Sequence, residues 1–156
     1  MTWQPGSDRI RQLLKDGELE RVTPDQAVAG RLLRDASKHL TTAAAAVTDT
    51  DLSGAYQLAY DALRKSAAAL LAVQGLRATS RGGHIAIQDA VTAQFGSTVR
   101  PFKSFNRIRR ARNSFEYPDS DTAGPIQADV DDAIHVATQG LEAAATILER
   151  DLLTPW

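Results

Sequence analysis

Apolar residues return at every third or fourth position along most of this chain. Proline, glycine and short polar clusters separate the runs. One run reads Ala29, Leu32, Leu33, Ala36, Leu40, Ala43 and Val47, the spacing of one buried helix face. Thr23-Pro24-Asp25-Gln26 precedes it and reads as a capping box with proline at the first helical position. A second run, Ala55, Leu58, Ala59, Ala62, Leu63, Ser66, Ala69, Leu70 and Val73, predicts a helix over about 52–74, closed by Gly75. A third, Val130, Ile134, Ala137, Leu141, Ala144, Ala145 and Leu148, predicts a last helix over about 126–152.

Shorter helices fit between these. Ser7 is placed to cap one over 8–16, and Gly17 to end it in a left-handed conformation. Gly96 closes another over 84–95. Pro101 and Pro118 bracket a further one, because proline fits a first helical turn and no later one. No segment alternates with period two, and no Asn-Gly hairpin signal occurs. The expected fold is all-α: a four-helix bundle with one or two short additional helices. It forms one domain over 1–156, with its core at about 24–152.

Composition narrows the chemistry. Hydrophobic content of 43% and charged content of 24% suit a soluble globular protein. The chain has no cysteine, which removes disulfides and thiolate sites from consideration. No apolar run reaches the ~20 residues of a membrane helix. The start, MTWQPGSDR, lacks a charged-then-apolar leader pattern. The expectation is a cytoplasmic protein with no membrane partner and no cofactor.

Net charge is −1, so a nucleic-acid reading has to rest on local charge. One stretch supplies it. Between Arg100 and Pro118 lie Arg100, Lys103, Arg107, Arg109, Arg110 and Arg112, and no acid occurs from Ala90 through Phe115. On one helix, Arg109, Arg112, Asn113 and Glu116 share a face, with Arg107 and Arg110 on a neighbouring strip. Arginine suits phosphate because its planar fork donates two hydrogen bonds at once. The competing reading is an ordinary Arg112–Glu116 ion pair, which contributes only about 0.2–0.5 kcal/mol. Arg81 and His84 stand at the mouth of the 84–95 helix, where an anion is favoured. Asp131, Asp132 and His135 have a spacing that can hold a metal, but a charged helix surface accounts for them better. No metal site is expected.

The order of these features resembles the HEPN family of small helical domains. Leu58-Ala59-Tyr60-Asp61-Ala62-Leu63-Arg64-Lys65-Ser66-Ala67 looks like that family's central helix. Gln74-Gly75-Leu76 with Gly83-His84 is similar to its next loop, and Arg109-Arg110-Ala111-Arg112-Asn113, ending Glu116-Tyr117, to its signature helix. The resemblance spans about 52–148. It implies a homodimer whose two signature helices form a metal-independent endoribonuclease site in a toxin–antitoxin or defence system. There the RNA 2′-hydroxyl attacks the adjacent phosphate.

Carried onto this chain, Arg112 holds the phosphate and Asn113 orients it. The position of the signature histidine is Tyr117, so Glu116 and Tyr117 are left to handle protons. Arg107, Arg109, Arg110, Arg81 and His84 are the expected RNA contacts. An unperturbed tyrosine, with a pKa near ~10, is a poor proton acceptor at neutral pH. That departure opens an alternative: a non-catalytic partner, antitoxin or substrate-binding subunit of a nucleotidyltransferase, with Tyr117 as acceptor of nucleotide modification. The plainest alternative is a helical dimerisation module without a ligand.

Overall fold

The computed structural model describes residues 3–156. It is an all-α bundle. Among the described residues are seven helices: α1 (Ser7–Lys15), α2 (Gln26–Thr48), α3 (Leu52–Val73), α4 (Gly83–Phe95), α5 (Arg100–Lys103), α6 (Phe105–Glu116) and α7 (Gln127–Glu149). No helix is long and apolar enough to cross a membrane among these residues.

The long helices α2, α3 and α7 form the body of the bundle, and α3 runs through its middle. Thirteen of the 22 residues of α3 are buried, from Ala55 to Val73. Alanine makes this packing close. Ala36 and Ala43 of α2, Ala55, Ala59, Ala62 and Ala69 of α3, and Ala137 and Ala144 of α7 are fully or almost fully buried. Side chains this small let helix axes approach, and alanine has the highest helix propensity. Gly140 of α7 goes further: a Cβ there would meet the Leu63 side chain at 2.7 Å.

Carboxylates cap the two long helices that the sequence marks most clearly. Asp25 accepts from the Val28 amide at 3.0 Å, and Asp51 from the Gly54 amide at 2.9 Å. Pro24 therefore precedes the helix, and Asp25 rather than Thr23 caps it. At α1 the cap position is Gly6, not Ser7, with φ 73° and the Ala93 backbone 2.6 Å from any added Cβ. Only glycine fits that approach in a left-handed conformation. Gly17 and Gly75 end their helices left-handed, as the sequence predicts.

Two departures matter. First, the Arg100–Pro118 stretch is broken. Tight bonds from Phe102 to Val99 and from Ser104 to Pro101 wind α5 into a single short turn, and α6 starts at Phe105. The tighter winding lets both Phe102 and Phe105 be fully buried. Phe102 lies 6.3 Å from Phe95, and Phe105 lies 6.2 Å from Tyr60, edge to face. Second, β1 (Leu19–Arg21) and β2 (Leu76–Ala78) pair antiparallel, with Glu20 opposite Arg77. Three-residue strands are too short to show a period-two pattern, and the 54 residues from Val22 to Gly75 separate them. The pairing is thus a product of α2 and α3 folding back on each other.

Candidate functional site

Three helices meet at one cluster of polar side chains. From α3 come Gln57, Tyr60, Asp61 and Arg64, which recur at helical spacing beside the apolar stripe. From α4 come His84 and Gln88. From α6 come Asn106, Arg109, Arg112 and Asn113.

Arg112 is the centre. Its Nε donates to Gln57 Oε1 at 2.5 Å, and another guanidinium nitrogen donates to Asn113 Oδ1 at 3.1 Å. The guanidinium carbon lies 5.5 Å from the centroid of the Tyr60 ring, within the range of cation–π attraction. Gln57 is itself fixed, because its amide donates to Asp61 at 3.2 Å. Asp61 also pairs with Arg64 at 3.5 Å. Arg109 is held in parallel fashion, donating to Gln88 at 2.7 Å and to Asn106 at 3.1 Å. Gln88 closes that loop by donating to Asn106 at 3.1 Å. Amide side chains thus orient both arginines without neutralising them.

The electrostatics are those of a site short of negative charge. Arg64, Arg109 and Arg112 all act on Tyr60, and Asp61 is the carboxylate that opposes them there. Burial pushes the Tyr60 phenol above its usual range, and the arginines pull it back. His84 Nδ1 lies 3.5 Å from the Tyr60 hydroxyl. Partial desolvation and the positive charges of Arg64 and Arg112 lower the His84 pKa from 6.5. Asp61 opposes that shift. At neutral pH the imidazole is therefore held uncharged, able to accept a proton. The Nε of Arg64 is buried and has no hydrogen-bond acceptor among the described residues. The Arg64 guanidinium instead reaches Asp61 through its terminal nitrogen.

The His84 shift has a measurable sign. Its folded pKa lies below the unfolded value of about 6.5. Between the two values the unfolded chain binds more protons, so stability falls as pH drops through that window and is regained above it. His84→Asn is expected to flatten this dependence. Urea unfolding at several pH values between 5 and 7.5 checks it, and an unchanged slope in the variant refutes it.

The structure sorts the residues singled out by the sequence. Arg109, Arg112, Asn113 and His84 come together. Glu116 and Tyr117 do not join them: both are exposed where α6 ends, Tyr117 with 77% of its surface accessible. No Arg112–Glu116 ion pair forms, because Arg112 is turned inward to Gln57. Arg107 points the other way and pairs with Asp132 of α7 at 2.7 Å. Arg110 and Arg81 are exposed, with no hydrogen bond or ion pair among the described residues. The pairing of Asp132 with Arg107 also takes up the acid set beside His135. Among the described residues no three His, Asp or Glu side chains gather as a metal site would.

Sequence reasoning missed Gln57, Tyr60, Asp61 and Arg64 as site residues. The signal was there: a polar stripe at positions 57, 60, 61 and 64 on a helix otherwise rich in alanine and leucine. Comparison with known protein families, curated proteins and solved structures finds no match to this chain.

Proposed function

We propose that this chain binds RNA through its phosphates at the cluster of Tyr60, Arg64, His84, Arg109 and Arg112. In this reading it is a HEPN-type component of a toxin–antitoxin or defence system, a homodimer and an endoribonuclease. The observation that carries the proposal is the fixing of Arg109 and Arg112 by the amides of Gln88, Asn106, Gln57 and Asn113, with the guanidinium of Arg112 over the Tyr60 ring. Arginines held by amides rather than carboxylates keep their full charge for an anion.

In this reading His84, beside the Tyr60 hydroxyl, takes the proton-accepting role that the resemblance left to Glu116 and Tyr117. His84, neutral at pH 7, takes the proton of the 2′-hydroxyl as that oxygen bonds to phosphorus and the bond to the 5′-oxygen breaks, and the departing 5′-oxygen takes a proton from water. Glu116 and Tyr117 have no part in this version. The test is incubation of purified protein with a fluorescent single-stranded RNA at low salt, where phosphate contacts are strongest. Binding with release of a 2′,3′-cyclic phosphate product is expected, and His84→Ala should cut the rate by about 10²–10⁴ while binding persists. Absence of RNA binding at low salt refutes the reading.

Tyr117 favours the second reading, a partner of a nucleotidyltransferase. Its exposure of 77% leaves the phenol open to a modifying enzyme. Mass spectrometry of the chain co-expressed with a nucleotidyltransferase encoded beside it is expected to find nucleotide on Tyr117. Unmodified chain, or the same addition in Tyr117→Phe, sinks this reading.

A further inference from the structure

Gln88, Asn106 and Arg109 form a closed ring of side chains at the edge of the arginine cluster. Arg109 donates from Nε to Gln88 Oε1 at 2.7 Å and from a terminal nitrogen to Asn106 Oδ1 at 3.1 Å. Gln88 donates its amide to the same Asn106 oxygen at 3.1 Å. A guanidinium has donors and no acceptor, so it dictates how each amide is turned. Both carbonyl oxygens must face Arg109, and the Asn106 amide nitrogen must face away. That nitrogen and the second terminal nitrogen of Arg109 have no partner among the described residues. Asn106 is exposed and Arg109 half-buried, while Gln88 is only 6% exposed and anchors the ring on α4. The accessible rim of this ring therefore offers N–H donors alone.

The ring stands one step from the groups that hold the phosphate in the reading above. Gln88 follows His84 by four residues on α4, and Arg109 precedes Arg112 by three on α6. Side chains at these spacings are neighbours on one helix face, about 5–6 Å apart. Arg64 and Arg112 are the arginines that act on His84, and Arg109 is not among them. Stacked nucleotides advance by about 3.4 Å each and extended ones by more, so a phosphate at Arg112 brings an adjoining base within reach of Arg109.

We propose that Arg109, set by Gln88 and Asn106, reads a guanine base next to the phosphate held at Arg112, through guanine O6 and N7. The proposal rests on the phosphate-binding reading of the cluster and adds its base preference. The Hoogsteen edge of guanine carries two adjacent acceptors with no donor beside them, which matches the arginine fork. Adenine has an amino group where guanine has O6, and that donor would meet donors. Asparagine reads adenine by accepting from this amino group, but Asn106 Oδ1 already accepts twice. Cytosine also carries an amino group, and uracil sets an N–H between its carbonyls. Gln88 and Asn106 are positioning residues: they hold the fork before the ligand arrives, which spares the entropy of ordering a long side chain on binding. A second phosphate at Arg109 would show no preference among bases.

The test uses the whole chain and fluorescent heptamers of 2′-O-methyluridine with one 2′-deoxy test nucleotide at the centre, which offer no 2′-hydroxyl for attack. Anisotropy at low salt compares guanine, adenine, hypoxanthine and 7-deazaguanine at that position. Guanine is expected to bind about tenfold more tightly than adenine. Hypoxanthine keeps O6 and N7 and lacks only the 2-amino group, so it should match guanine. 7-Deazaguanine loses only the N7 acceptor and should fall towards adenine. Arg109→Lys keeps the charge but not the fork, so it should erase the preference while still binding the adenine heptamer. The base analogues need no variant, so they decide the matter even where Arg109→Lys melts early. Equal binding of the guanine and adenine heptamers overturns the inference and leaves the phosphate reading standing. So does a guanine preference that survives 7-deazaguanine or Arg109→Lys. Failure of every heptamer to bind removes the phosphate reading, and this inference with it.

Discussion

Arg112→Ala is expected to weaken RNA binding by roughly 10- to 100-fold at moderate salt, because a hydrogen bond to a charged group contributes about 1.5–3 kcal/mol. The loss should exceed that of Arg110→Ala, although both residues sit on the same helix and carry the same charge. Arg110 is exposed and its side chain has no partner among the described residues, so it has to be ordered on binding. Arg112 is already fixed by Gln57, Asn113 and the Tyr60 ring. Arg112→Lys should recover only a small part of the affinity, since an ammonium cannot reproduce the planar fork or its stacking on tyrosine. Fluorescence anisotropy against salt concentration measures this. Equal losses for Arg110→Ala and Arg112→Ala would show that only bulk positive charge matters and that the Tyr60 cluster is not the site.

Phe105→Ala is expected to carry the largest cost in stability, about 3–5 kcal/mol for a fully buried phenylalanine. For a chain of this size that corresponds to a fall in Tm of roughly 10 °C or more. The residue is the first of α6 and packs edge to face on Tyr60. Its removal leaves a void where the helix bearing Arg109 and Arg112 meets the helix bearing Tyr60 and Arg64. RNA affinity should fall with it, and Phe105→Leu should restore most of both by refilling the volume. Calorimetry and anisotropy on the two variants test the coupling. A Phe105→Ala protein with a near-normal Tm would mean that α6 is anchored elsewhere.

The comparison of these variants turns on how the charges are held. A carboxylate beside each arginine would have settled the cluster as an internal ion-pair network. Here the partners are mainly amides: Gln57 and Asn113 for Arg112, Gln88 and Asn106 for Arg109. Elsewhere on the chain arginines meet acids directly, as Arg9 does Asp89 and Arg107 does Asp132. The contrast separates structural arginines from available ones.

Much of the architecture was legible in the linear chain, because helix formation is local. The three long helices follow from apolar spacing, and the end of α3 from Gly75, whose effect acts within one turn of the backbone; the start of α2 lies past the Thr23–Pro24 signal, at Asp25. The basic segment and its arginines were equally plain. What the chain could not disclose is everything that depends on residues far apart in sequence. Arg112 lies 55 positions from Gln57 and 28 from His84, and only the folding of α6 across α3 and α4 brings them together. The same holds for the ribbon, whose strands come together only after α2 and α3 have packed. The break at Ser104 belongs here too: burial of two phenylalanines outweighs the continuity of one helix. Local propensity thus determined which segments coil and where they stop. Tertiary packing decided which charges face one another, because side-chain direction is fixed by burial and contact rather than by spacing along the chain.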